Sequence, residues 1–383
     1  MTTSLYYLWR HMWMDKVIGQ EALKQQLKKT VETGRISHAQ LFLGKPGTGA
    51  LPLAIGYAQL LLCNASESQS SCNLKCDKLV HPDLHFAFPV NTTKKVKKDP
   101  VSSLFLEEFR EEFIKNPYLN LFQWLTALGI ENKQGLINTK QSSEILKDLT
   151  LKPYESEFKV MLIWQPERMN RSSANKLLKI IEEPPQKTVF LLVSEDQDNV
   201  LPTILSRTQL IRVPPLQQDD IKFALQEQYD LAEETASSIA SLADGSFNAA
   251  LNILHASSEE NFDQQSFINW MRMCYSKDFF KIDAWISDIS RIGRERQKNF
   301  LAYGLHIYRE CLISNYADPS LIRLQGAEQG FVNKFKPFIN TANALQLIGE
   351  FEKAVNDIER NANPKILFLD LTVKVMKLLT LKP

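Results

Sequence analysis

Apolar residues in the first half of the chain fall in short runs of strand length. AQLFL (39–43), LHFAF (84–88), FKVMLIW (158–164), TVFLLVS (188–194) and QLIRV (209–213) are mostly continuous rather than alternating. Such runs predict strands buried on both faces. Between them lie helical patterns, ALPLAIGYAQLLLC (50–63) and SSANKLLKIIEE (172–183). The second is stopped by Pro184-Pro185, because proline cannot continue the hydrogen-bond ladder. Residues 103–150 read mainly as helix, broken near Asn116-Pro117 and Gly129. Strands separated by helices predict a parallel sheet covered by helices on both faces. After Pro214-Pro215 the strand pattern ends, and DDIKFALQEQYDLAEETASSIASLA (219–243) and the remainder to 383 predict amphipathic helices. A softer boundary lies in the polar stretch SSEENFDQQS (257–266).

Length changes this picture only by requiring more than one core, since 383 residues exceed what a single one usually serves. The net charge of +1 excludes a global electrostatic field for nucleic acid. A local patch remains in VNTTKKVKKDP (90–100), where Lys94, Lys95, Lys97 and Lys98 form a basic run. It reads as a solvated loop, with DNA or partner contact as the alternative. No apolar run approaches the ~20 residues that span a bilayer. The opening MTTSLYYLWRHMW is interrupted by Arg10 and His11 and lacks a small-residue cleavage site, so a cytoplasmic protein is expected. Residues 1–15 read as an N-terminal extension, with Met14 as an alternative start. Phe105, Phe109, Phe113, Tyr118, Phe122 and Trp124 have the mixed spacing of a helical insertion packed on a core, without a stacking platform for bases. Neither a serine–histidine–aspartate grouping nor a two-metal carboxylate cluster emerges.

The candidate chemistry begins directly after the first strand, at GKPGTGALPLA (44–54). Gly44, Gly47 and Gly49 keep the form of a phosphate-binding loop, G-x-x-x-x-G-K-[ST]. Ala50 stands where the lysine belongs and Leu51 where the Mg²⁺-binding hydroxyl belongs, so fixed positive charge and metal anchor are both lost. A working NTPase also ends a buried strand with a carboxylate that holds Mg²⁺. Here VMLIW runs into Trp164 and Gln165, and Glu167 arrives two residues late, past Pro166. Two separate ATPase devices are missing from one sheet.

Five ordered blocks now resemble a known family. VIGQEALKQQLKKTVETGRISHA, HAQLFLGKPGTG, LVHPDLHF, FKVMLIWQPERMNRSSANKLLKIIEEPP and VFLLVSEDQDNVLPTILSRTQLIRV look like the AAA+ module of bacterial DNA polymerase III clamp-loader subunits. The likeness runs from about 16 to 255 and, because the lysine and acidic positions are degenerate, is greatest to the delta prime type rather than the ATP-hydrolysing gamma/tau type. It implies an α/β AAA+ base domain over 16–215, a helical lid over 216–258 and an all-α collar over 259–383 that closes a five-subunit ring. The base domain would carry a cysteine module at 63–81 and a helical insertion at about 90–150.

The resemblance also assigns roles residue by residue. Ser206-Arg207 matches a Ser-Arg-Cys motif whose arginine faces ATP held by a neighbouring subunit, although Thr208 replaces the cysteine. Arg207 is thus the expected arginine finger in trans and Ser206 its support, with Arg212 structural or at the surface. Asn248 occupies the place of a nucleotide-sensing arginine in Gly245-Ser246-Phe247-Asn248-Ala249-Ala250-Leu251. Cys63, Cys72 and Cys76 fall where the family inserts a four-cysteine zinc module, one ligand short and with the third displaced. His81 and Asp77 are the candidates for a fourth ligand; a bound zinc and a decayed loop both stay open. Cys274 and Cys311 read as buried singles. The implied partners are gamma/tau- and delta-type subunits in a hetero-pentamer, with sliding clamp and primer-template DNA reached through the complex and no membrane. No catalysis is expected from this chain alone, which would serve a DNA-directed DNA polymerase holoenzyme while ATP binds next door. The alternatives are an active ATPase motor of the gamma/tau type and a DNA-binding adaptor.

Overall fold

The computed structural model describes residues 12–64, 68–255, 260–316, 326–360 and 362–381. The chain divides into two compact units, Met1–Ile253 and Leu254–Pro383.

The first unit starts with α1 (Trp13–Lys16) and α2 (Glu21–Glu32), followed by β1 (Ala39–Leu43), α3 (Ala50–Cys63), α4 (Gln69–Asp77) and β2 (Leu84–Ala87). The insertion then contributes α5 (Leu106–Lys115), α6 (Leu121–Ala127) and α7 (Thr139–Thr150). The sheet resumes with β3 (Lys159–Trp164), α8 (Arg171–Glu182), β4 (Thr188–Ser194), α9 (Pro202–Leu205) and β5 (Gln209–Arg212). Helices α10 (Gln218–Tyr229), α11 (Glu233–Leu242) and α12 (Phe247–His255) follow.

The five strands form one sheet in the order β2-β3-β4-β1-β5, and every pairing is parallel. Leu41 lies opposite both Leu192 and Leu210, which places β1 between β4 and β5. Because side chains alternate across a strand, the sheet feeds two cores. Phe42, Val160, Leu162, Trp164, Val189, Leu191 and Val193 enter one; Leu41, Met161, Ile163, Phe190 and Leu192 enter the other. The first core is covered by α3, α5 and α6, the second by α7 and α8. The insertion expected as one block is therefore shared between the two faces of the sheet. Its aromatic residues are core residues: Phe109 stacks on Phe88 with ring centroids 4.3 Å apart, and Trp124 Nε1 donates to the Pro89 carbonyl at 2.8 Å.

Helix α3 is buried along its whole length, as its all-round apolar sequence requires. Residues 12–14 contribute to that burial, which corrects part of the extension expected over 1–15. Met12, Trp13 and Met14 are core residues; the Trp13 N–H donates to Gln59 Oε1 at 2.8 Å. A Cβ built on Gly56 would lie 2.5 Å from the Met14 nitrogen, so the glycine admits this close backbone approach. Residues 1–11 lie outside the described residues.

Among its described residues the second unit is wholly helical: α13 (Glu260–Ser276), α14 (Phe279–Ile289), α15 (Arg294–Tyr316), α16 (Gly326–Phe335), α17 (Ala344–Glu359) and α18 (Pro364–Leu379). Its core is aromatic, with Trp270 stacked on Trp285 at 4.7 Å and Phe267, Phe300, Tyr308 and Phe351 around them. Cys274 and Cys311 are buried there, as expected, and burial pushes both thiols up to about 12. No described helix is long and apolar enough to cross a membrane.

Candidate functional site

The glycine loop leaves the carboxyl end of β1, where open α/β sheets bind ligands. The Gly44 N–H donates to the Ser194 carbonyl at 3.1 Å, tying the loop to β4. Gly47 and Gly49 have φ of 80° and 91°, left-handed values that glycine tolerates without strain. Gly49 then caps α3, whose first residues Ala50 and Leu51 are buried apolar side chains rather than a cation and a hydroxyl. The turn has the glycine conformations of a phosphate loop, with Ala50 and Leu51 where a lysine and a hydroxyl would stand.

The chain's own residues pack directly against the loop. The Phe247 N–H donates to the Gly47 carbonyl at 2.9 Å, and Ser246 Oγ donates to the Pro46 carbonyl at 2.9 Å. A Cβ on Gly47 would fall 2.1 Å from Ser246 Oγ and 2.9 Å from the Asn248 nitrogen. On the next glycine a Cβ would meet the Tyr118 ring at 3.2 Å. Tyr118 is buried between α2's leading segment and α12: its hydroxyl accepts the Ile18 N–H at 2.7 Å and its ring meets Phe247 edge-on at 5.1 Å. Burial drives the Tyr118 phenol well above its usual range, so it stays neutral. Gln20 closes the near side, donating to the Thr48 and Pro214 carbonyls at 3.2 and 2.7 Å.

Asn248, where the resemblance led one to expect a cation, is only 3% exposed. Its Nδ2 donates to the Tyr118 carbonyl at 2.8 Å and to Gln123 Oε1 at 2.6 Å. Gln123 is set by a capping box at the start of α6, in which Asn120 accepts the Gln123 N–H at 2.9 Å. Neither Tyr118 nor Gln123 was singled out for this site from the sequence, although Asn120-x-x-Gln123 is a recognisable helix-start signal.

At the end of β3, Trp164 is buried and its ring lies 5.9 Å from that of Phe109. Gln165 is also buried, in a left-handed conformation, with its N–H donated to the Val193 carbonyl at 2.8 Å. The late carboxylate, Glu167, accepts the Glu195 N–H at 3.0 Å, and burial raises its pKa.

Arg207 stands apart from this cluster, just after the short helix α9. Its Nε donates to Glu182 Oε2 at 2.7 Å and its Nη1 to the Thr203 carbonyl at 3.0 Å, with Ser206 Oγ 3.4 Å away. Its side chain remains 30% exposed. Thr208 Oγ1 bonds back to the Ile204 carbonyl at 3.2 Å, so the departure from the motif is absorbed locally. Arg212 is exposed at the edge strand β5.

The three clustered cysteines do come together. Cys63 ends α3, and Cys72 and Cys76 are one turn apart on α4, with the three sulfur atoms within 4.8 Å of one another. Cys63 and Cys72 are joined as a disulfide, while Cys76 is a free thiol 3.7 Å from the Cys63 sulfur. Between the two alternatives left open, bound zinc and a decayed loop, this oxidised arrangement leaves Cys76 as the one thiol of the group, and no fourth ligand joins it among the described residues. His81 is not free to serve: Nδ1 accepts the Asp83 N–H at 3.1 Å, and Nε2 lies 3.1 Å from Glu155 Oε1 and 3.2 Å from Ser156 Oγ. Asp77 is turned toward Gln59 and Lys16 at 3.4 and 3.6 Å. The Asp83 carboxylate accepts backbone N–H groups of Tyr154, Glu155 and Ser156, so the His-Pro-Asp segment organises a turn.

The basic run lies on an exposed loop. Lys95 reaches Glu108 at 3.8 Å, and Asp99, which follows the run, pairs with Lys140 at 2.9 Å.

Comparison with known proteins finds relatives in the sequence of the first unit. The profile of the family described as DNA polymerase III, delta subunit, matches residues 19–217. DNA polymerase III subunit delta' of Bacillus subtilis is 30% identical over 221 residues, covering 56% of this chain and 54% of that protein. DNA polymerase III subunit gamma of Buchnera aphidicola subsp. Acyrthosiphon pisum is 27% identical over 251 residues, covering 64% of this chain and 59% of that one. The matched span is thus between half and two thirds of each relative. Among solved structures, a gamma subunit-related protein of Thermotoga maritima covers 93% of this chain and 99% of its own, at 13% identity and a TM-score of 0.36. On its matched span, this chain belongs to the family described as DNA polymerase III, delta subunit.

Proposed function

We propose that this chain is the non-hydrolysing, delta prime-type subunit of a clamp loader. It does not turn over ATP. It lends Arg207 to ATP bound by a neighbouring gamma/tau-type subunit, and its second unit serves as a collar in a hetero-pentamer that also holds a delta-type subunit. ATP-driven loading of a sliding clamp onto primed DNA is then a property of the assembly. The observation that carries this reading is the contrast between two sites on one unit. Tyr118, Ser246, Phe247 and Asn248 pack against the phosphate loop, whereas the Arg207 guanidinium is partly exposed. Guanidinium suits the task because it stays charged and presents a rigid fork to phosphate oxygens.

The test has two arms. The isolated chain is expected neither to bind ATP nor to hydrolyse it; Mg²⁺-dependent turnover abolished by substitutions in 44–51 would instead identify an active motor. In a reconstituted loader, Arg207→Ala is expected to lower clamp- and DNA-stimulated ATPase by roughly 10³-fold or more at the site it serves. Unchanged ATPase would remove the arginine from the mechanism.

A further inference from the structure

Arg207 and Glu182 are separated by 25 residues, and their pairing is made by the fold. Glu182 is the last residue of α8, immediately before Glu183-Pro184-Pro185, so the proline stop fixes where the helix ends. Arg207 follows α9, a single turn opened by Pro202. Two rigid terminations therefore face each other and set the geometry of one guanidinium.

The details of that geometry matter. Arginine presents five N–H donors in a planar fork. Glu182 takes the Nε donor at 2.7 Å, and the Thr203 carbonyl takes an Nη1 donor at 3.0 Å. The Nη2 donors, on the far end, make no hydrogen bond among the described residues. Nη1 also donates to Ser206 Oγ at 3.4 Å, so the two Nη2 hydrogens are what the guanidinium keeps for a phosphate. A long arginine side chain loses rotamer freedom when it is held in one geometry, and a carboxylate on Nε removes much of that freedom in advance. With the Glu182 carboxylate itself 55% exposed, its ion pair with Arg207 adds little to stability. Orientation is what it supplies.

We propose that Glu182 is a positioning residue for the trans-acting Arg207, holding its Nη2 donors toward the phosphates of a nucleotide bound by the adjacent subunit. This rests on the reading of Arg207 as an arginine finger. Glu182 touches no nucleotide in this arrangement and acts only through the guanidinium.

The experiment uses the reconstituted clamp loader with ATP, sliding clamp and primed DNA, and compares Glu182→Ala, Glu182→Gln, Arg207→Ala and Arg207→Ala/Glu182→Ala. Misorientation of a group at the reacting phosphate is expected to lower kcat roughly ten- to a hundredfold while KM stays within about twofold. Glu182→Gln is expected to recover most of the loss, because its side-chain oxygen still accepts from Nε. In the Arg207→Ala background, Glu182→Ala is expected to add nothing. Loss in Arg207→Ala with wild-type or raised activity in Glu182→Ala would overturn the positioning role while leaving the finger intact. An equal fall in both backgrounds, a change confined to KM, or failure of glutamine to rescue would also overturn it. Unchanged activity in Arg207→Ala would reject the finger itself and the inference with it.

Discussion

Replacing Asn248 with alanine tests whether the helix α12 is clamped onto the phosphate loop by the chain itself. The substitution removes the 2.8 Å bond to the Tyr118 carbonyl and the 2.6 Å bond to Gln123 Oε1. Gln123 Oε1 keeps the Asn120 N–H at 3.0 Å, so the loss there is one net hydrogen bond, about 1 kcal/mol. The Tyr118 carbonyl is left without its donor in a buried setting, which costs about 1–3 kcal/mol. Together the clamp should weaken by roughly 2–4 kcal/mol, or about 30- to 1000-fold in the equilibrium between docked and open α12. Native-state hydrogen exchange reads this directly. Protection of the Phe247 amide, bonded to the Gly47 carbonyl, and of the Ile18 amide, bonded to the Tyr118 hydroxyl, should fall by that factor. Amides inside the sheet, such as those of Leu191 and Leu162, should keep theirs. Unchanged protection at Phe247 would refute the clamp, and a uniform fall across the unit would show that Asn248 supports global stability instead.

Gly47→Ala should open the same contact from the opposite side, since its Cβ would collide with Ser246 Oγ at 2.1 Å and the φ of 80° is strained for alanine; the thermal midpoint should fall, and an unaltered midpoint would contradict the packing. Glu167 has its pKa raised by burial, so the native state binds more protons than the unfolded chain. Wild-type stability should therefore decline as pH rises from the ordinary glutamate range through the elevated pKa. Glu167→Gln should exceed wild type in urea midpoint at pH 7, with the gap closing toward pH 4; a gap independent of pH would exclude this cause. Thiol titration of the denatured, unreduced chain should find Cys76, Cys274 and Cys311 reactive and Cys63 and Cys72 silent, with no zinc by elemental analysis. Five reactive thiols with stoichiometric zinc would replace the disulfide by a metal site.

Much of the sheet could be read in advance because continuous apolar runs and proline stops are local signals. AQLFL and TVFLLVS occupy β1 and β4 over the expected bounds, and ALPLAIGYAQLLLC is α3. The insertion was harder. Its helical character is local, but its division between two faces of the sheet depends on where β2 and β3 place its ends. The cysteine spacing was legible as a cluster, yet spacing does not say whether sulfur atoms bind each other or a metal. Met12 and Trp13 looked like part of a loose extension because a short apolar segment carries no mark of the helix it will cover.

The amino-acid sequence by itself determined which side-chain groups stand at these positions. Ala50, Leu51, Trp164, Gln165 and Asn248 cannot supply a phosphate-binding cation or a metal-binding carboxylate in any conformation, because the required groups are absent from their side chains. Only the tertiary structure decided what stands in their place. Tyr118 lies 100 residues from Ile18 and 130 from Asn248, and Glu182 lies 25 from Arg207. Such pairings arise when distant segments are packed against one sheet, and no local periodicity or propensity records them.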